Sequence, residues 1–189
     1  MANQNSPFGF RPVIRLGGAP WATQEYGKPA SDANAIFMFD AVKKVTGAVT
    51  LAESPTGYNL PTIQTGYQGT PGTTLWQGVS LNYGAASTAT PHMVTDEIDV
   101  IYIGQAKTGT SIATGSHIGK NANISLTTAG STTTRQSGMS VDGATIATTA
   151  TLDLRISRVA MISPNAEGDS AILEVLINKH ELGQQTAGV

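Results

Sequence analysis

Apolar residues in this chain recur at every second position, and no stretch carries the three-to-four spacing of a helix face. Gly78-Val79-Ser80-Leu81-Asn82-Tyr83 alternates in this way, and Ile98-Asp99-Val100-Ile101-Tyr102-Ile103 is a strong β run ending at Gly104. Leu152-Asp153-Leu154-Arg155-Ile156 puts its apolar residues on one face and Asp153 and Arg155 on the other. The most apolar run, Ala171 to Ile177, is long enough for a helix, but its Ile and Val content and the preceding Glu167-Gly168-Asp169 turn favour a strand. Ala35 to Asp40 reads as a buried strand that Val42 to Val45 continues, with a hairpin turn at Thr46-Gly47 leading into Ala48 to Leu51. Short strands are expected around Ile112, Ile118 and Ile124 to Leu126. The pattern predicts an all-β fold, a β-barrel or a jelly-roll-like β-sandwich.

Two segments break the alternation. Residues 1–34 are rich in Pro, Gly and Asn and form a predicted extended N-terminal arm, followed by a β domain over 35–189 whose two subregions would meet near residue 96. Within the arm, Pro7 and Pro12 flank Phe8, Gly9 and Phe10; each proline fixes φ and removes a donor, which excludes a continuous helix. The arm also carries Val13, Ile14, Leu16 and Trp21, more apolar side chains than a solvated tail has. It therefore needs a surface to lie on, its own or a neighbour's. Residues 52–77, with three prolines and four glycines, read as a long loop or a set of bulged edges, suited to contact.

Composition narrows the function. Charged residues make up 13%, about half the usual share, with Thr, Ser, Gly, Ala and Asn in their place. Such a surface suits coverage by other protein. The net charge of −2 and a largest basic cluster of only Lys43-Lys44 argue against nucleic acid as a partner. The absence of cysteine removes disulfides, thiolate metal sites and a cysteine nucleophile. Met1 to Asn5 lacks the features of a signal peptide, and no apolar run is long enough to span a membrane, so synthesis in a cytoplasm with no membrane partner is expected.

Catalytic constellations are thin. His92, His117 and His180 lack metal-ligand spacing. Asp96, Glu97 and Asp99 enter one strand, where alternation turns Glu97 away from Asp96, a poor arrangement for a glycosidase pair. Gly138 to Gly143 departs from the G-x-S-x-G pattern, and its Asp142-Gly143 is a hairpin-turn signal. Gly115 to Lys120 lacks the phosphate-loop spacing. No catalytic, cofactor or metal residue is therefore expected. The residues expected at a protein interface are Phe8, Phe10, Arg11, Pro12 and Trp21 in the arm. An alternative is a carbohydrate-binding module using Trp76, Tyr67 and the acids at 96–99; against it, a large aromatic such as Trp76 is more often a buried plug.

The start Met1-Ala2-Asn3-Gln4-Asn5-Ser6-Pro7-Phe8-Gly9-Phe10-Arg11-Pro12-Val13 resembles that of small virion structural proteins of tailed bacteriophages. Gln105-Ala106, Ile118 to Ala122, and Val175 to His180 extend the likeness over most of the chain. Within that group the chain is most similar to capsid decoration, or cement, proteins. The resemblance implies a β-rich, non-enzymatic subunit on the capsid exterior, bound to the major capsid protein lattice as a homotrimer with extended arms. A tail or neck protein of the same virion is the neighbouring possibility.

Overall fold

The computed structural model describes residues 3–50, 59–65, 69–183 and 186–188. Its regular secondary structure is almost wholly β. The strands are β1 (Arg11–Arg15), β2 (Gln24–Lys28), β3 (Ala41–Thr50), β4 (Asn59–Thr65), β5 (Gly78–Ser80) and β6 (Thr90–Thr95). They are followed by β7 (Val100–Gln105), β8 (Asn121–Ser125), β9 (Ser140–Ala147), β10 (Leu154–Val159) and β11 (Ile172–Ile177). A single helical turn, α1 (Thr114–His117), lies between β7 and β8.

The strands form two units. A closed barrel runs in the order β2-β4-β3-β5-β6, and a six-stranded sheet in the order β1-β7-β11-β10-β8-β9. The chain leaves the barrel after Thr95 and enters the sheet at Val100. The sheet is antiparallel throughout. It curls enough that Val141 of β9 makes a parallel bridge to Ala106, just beyond β7. The barrel closes through a parallel contact between β2 and β4 at one register position, Gly27 opposite Thr62.

Strand alternation sorts the side chains into two cores. Tyr26, Ile36, Val42, Ile63 and Val94 pack together among the barrel strands. Ala41, the neighbour of Val42, points the other way; with Val79 opposite it on β5, it joins the larger core that packs against the sheet. That core includes Trp76, Val100, Tyr102, Ile124, Leu154 and Leu173. The β3–β5 wall is thus shared by both cores.

Several local expectations are corrected. Residues 35–40 are not a strand: Phe39 has φ +72°, outside the β region, and the segment makes only single bridges, Ile36 to Gly84 and Met38 to Gln136. No hairpin turns at Thr46-Gly47; β3 continues to Thr50, and the two residues are absorbed in a register shift against β4 between Val45 and Ala48. The stretch read as a long loop or a set of bulged edges holds a regular strand, β4, paired to β3 across a register shift, and Tyr67 lies outside the described residues. Asp142-Gly143 sits within β9, with Asp142 opposite Asn123. In the segment read as an arm, β1 belongs to the sheet and β2 to the barrel.

Candidate interaction surfaces

The N-terminal segment is extended, and its described residues are stitched to this chain's own domain. The Asn3 side-chain amide donates to the carbonyls of Ala166 and Asp169, both at 2.9 Å, and accepts from the Ala166 N–H at 3.1 Å. Ser6 N–H donates to Gln105 Oε1 at 2.8 Å, and Gln105 Nε2 donates to the Gln4 carbonyl at 2.7 Å. Gly9 has φ +78°, and a Cβ there would lie 2.3 Å from the Phe39 carbonyl oxygen, so only glycine lets the backbone pass.

The five residues expected at an interface meet different fates. Phe10 is 1% exposed, with its ring seated on Gly104, where an added Cβ would lie 2.7 Å from it. It fills the main core of its own chain, which corrects the expectation that it faces a partner. Phe8 and Arg11 come together at the surface: the guanidinium carbon lies 4.8 Å from the Phe8 ring centre and 5.1 Å from that of Phe39, a cation–π sandwich. Pro12 is half-buried, and Val13, at a register shift between Pro12 and Ile14, is half-exposed. Trp21 is half-buried and packs on the main core, apart from that group. β1 pairs with β7 on one side and ends the sheet on the other.

The acidic cluster is tied into the structure. Arg15 Nε donates to both Asp99 oxygens at 3.0 and 3.1 Å, and its guanidinium pairs with Glu97 at 3.0 Å. Glu97 also accepts the Ala22 N–H, and Asp96 accepts the Tyr26 hydroxyl at 2.8 Å. These carboxylates hold the crossover from barrel to sheet against β1 and β2.

The histidines sit apart. His92 is fully buried, with Nδ1 2.8 Å from Ser80 Oγ and Nε2 3.3 Å from Thr90 Oγ1. Burial, and then the charge of Lys28, lower its pKa to about 4. His117 Nδ1 accepts the Ala113 N–H, and His180 Nδ1 accepts the Leu182 N–H. Among the described residues, no group of three His, Cys, Asp or Glu side chains is placed to hold a metal ion. Trp76 is fully buried and provides no stacking face for a sugar.

Two further buried acids serve the fold. Burial raises the Asp40 pKa to about 7, against hydrogen bonds from the Phe37 N–H and the Thr65 hydroxyl. Burial also raises that of Asp153, which accepts the N–H groups of Gly72 and Ile124 at 3.0 Å each.

Several large apolar side chains are left outside. Leu16 is 61% exposed and Ile98 52%. Both line a groove of about 460 Å³ with Leu176, Ile177 and Arg155. At the other end of the β10–β11 hairpin, Met161 is 85% exposed beside Ile162 at 44%. The sequence marked Leu16 as an apolar residue in need of a surface, but Met161 and Ile162 fall in a turn, where periodicity carries no face information. No protein-family model, curated protein or solved structure matches the chain.

Proposed function

We propose that this chain is a non-enzymatic structural subunit of a tailed-phage virion that binds the capsid exterior and stabilises it by bridging neighbouring capsomers. The likeness of residues 1–13 to small virion proteins supplies the partner class. The observation that carries the reading is the edge strand β1. It ends the sheet, with Val13 and Leu16 exposed and the Phe8–Arg11 pair beside it. A free edge accepts a strand from a partner through main-chain hydrogen bonds, and flanking side chains set the fit. Arg11 adds a planar cation that can pair with a carboxylate or stack on a ring. Each such contact is modest, because burial at roughly 25 cal/mol per Å² is offset by ordering costs. Several copies on one lattice then gain through effective concentration.

The test uses heads of the phage that encodes the chain, prepared without it. Labelled protein is added and the particles are imaged. Label over the whole head supports the proposal. Label confined to the tail moves the protein to a tail or neck position, and no label rejects both. Val13→Lys places a charge on the β1 edge and is expected to weaken head binding roughly tenfold without changing the melting temperature. Full binding by that variant would exclude β1 as the contact.

A further inference from the structure

The arginines of this chain differ in what meets their charge. Arg15 pairs with Glu97 and Asp99, and Arg158 pairs with Glu174 at 2.6 Å. Arg155 donates to the Ala187 carbonyl at 3.0 Å. Arg11 has neither kind of partner. Among the described residues no carboxylate pairs with its guanidinium, and its Nε is buried without a hydrogen-bond partner. Asp40, next to Phe39 in sequence, turns its carboxylate to the Phe37 N–H and the Thr65 hydroxyl instead. A cation drawn partly out of water with no counter-charge is unfavourable, and only the Phe8 and Phe39 rings offset that here.

The fold holds those two rings in place. The Phe10 N–H donates to the Phe39 carbonyl at 2.9 Å, and Phe10 itself is anchored in the main core. Gly9, at φ +78°, turns the backbone between Phe10 and Phe8. Phe39 adopts φ +72°, a conformation phenylalanine rarely takes, with its N–H fixed on the Ser80 carbonyl at 2.7 Å. Such residues persist only where the surroundings hold them, and they gather at ligand clamps. Arg135 supplies the contrast. It is exposed and lies over a single ring, that of Tyr83, at 5.4 Å.

The sandwich decides what Arg11 can still bind. A guanidinium offers two faces and a rim of N–H donors. With Phe8 on one face and Phe39 on the other, a partner's ring has no face left to stack on. Nε is covered as well, which leaves the fork of the two Nη groups. That fork matches the two oxygens of a carboxylate. Apolar walls around the pair exclude water and strengthen it. A phosphate would call for further donors or cations, whereas here one cation stands between two phenylalanines.

We infer that the Phe8–Arg11–Phe39 clamp is a carboxylate site, occupied in the assembled particle by an acidic side chain of the capsid lattice. The source of the carboxylate rests on the proposed function; the preference for a carboxylate does not. The clamp then gives the β1 contact one polar point that fixes its position on the shell.

The first test needs only the isolated chain. Nitrogen-15-labelled protein is titrated with sodium acetate, sodium chloride or inorganic phosphate at equal ionic strength, and the arginine Nε–H resonances are followed. Acetate is expected to shift Arg11 saturably, with Arg15 and Arg158 moving less because they are already paired. An equal response to chloride, or a stronger one to phosphate, would overturn the carboxylate assignment. The second test uses heads prepared without the chain. Arg11→Ala is expected to weaken binding roughly 30-fold and Arg11→Lys roughly tenfold, both melting as the parent does. Arg135→Ala is expected to bind like the parent. Full binding by both Arg11 variants, or an equal loss with Arg135→Ala, would overturn the inference. On saturated heads, carbodiimide is expected to couple the Arg11→Lys variant through position 11 to an Asp or Glu of the major capsid protein. Coupling only to a second copy of this chain would overturn the lattice as the source. The two readings fail separately. If the parent does not bind heads but acetate still shifts Arg11, the proposed function falls and the carboxylate site stands. If the parent binds and acetate has no effect, the clamp falls alone.

Discussion

The barrel and the sheet are built from similar strands but protected by different means. Among the described residues, the sheet packs on a large apolar core that includes Phe10, Trp76, Tyr102 and Leu173, whereas Tyr26, Ile36, Val42, Ile63 and Val94 form the barrel's own cluster. The barrel makes up its described interior with polar groups: Lys28, Ser80 and His92 are all fully buried. Lys28 donates from Nζ to the Asp32 and Thr88 carbonyls, and Gln77 donates to the Tyr26 hydroxyl. Apolar packing is indifferent to pH, and polar filling is not. The comparison teaches that the sheet's main core rests on apolar packing and the described barrel interior on a polar network, with buried titratable groups serving both, His92 in the barrel and Asp153 beside the sheet.

The strongest way to break that division is to empty the sheet's core. Phe10→Ala removes a fully buried ring from its seat on Gly104. It is expected to cost about 3–5 kcal/mol, as for other buried phenylalanines. Chemical denaturation followed by circular dichroism measures it. A loss below about 1 kcal/mol would mean that β1 is not part of the cooperative core.

The second test sharpens the barrel's side. The neutral form of His92 is favoured in the fold, so its contribution is complete above the unfolded value of 6.5 and is lost as pH falls toward about 4. Asp40 acts oppositely. Its protonated form is favoured, so its contribution is present below 3.8 and is lost as pH rises through about 7. Each group tilts stability by at most about 1.4 kcal/mol per pH unit within its window. Between about pH 4 and 6.5 the two tilts largely cancel in the parent. His92→Gln is therefore expected to make stability fall with rising pH across that window, and Asp40→Asn to make it rise. His180, also lowered by burial, adds to the His92 side. Thermal melts at half-unit pH steps give the slopes; equal slopes in both variants would refute the assignment.

The sheet was legible in the sequence for the same reason that it is stable. β7, β10 and β11 carry unbroken runs of apolar residues facing one large core, so period two survives in the letters. The barrel was less so. β4 contains Pro61, counted among the breakers of 52–77, and β6 contains Pro91, yet both residues are exposed. A proline there forfeits one ladder bond without disturbing the interior. His92 and Lys28 gave no strand signal, because a buried polar side chain looks like a surface one until its partners are known. The apolar side chains before β1 were legible as needing a surface. Their destination was hidden, because the slot for Phe10 is made by Gly104, ninety-four positions later, and a glycine in a strand announces only that something passes close.

The smallest effect is expected where the two units are tied by charge. Arg15 on β1 grips Glu97 and Asp99 in the crossover that leaves the barrel. All three side chains are partly exposed, at 36%, 24% and 29%. Exposed pairs contribute little and are screened by salt, with a Debye length of about 10 Å at 0.1 M shrinking to about 3 Å at 1 M. Arg15→Ala is expected to lower the melting temperature slightly at low salt and not at all at 1 M. Calorimetry is expected to keep one transition, because Ala41 and Val79 on the barrel wall belong to the sheet's core and bind the units without charge. Two resolved transitions would reverse that conclusion: the Arg15 bridges, and not the shared wall, would then couple barrel to sheet.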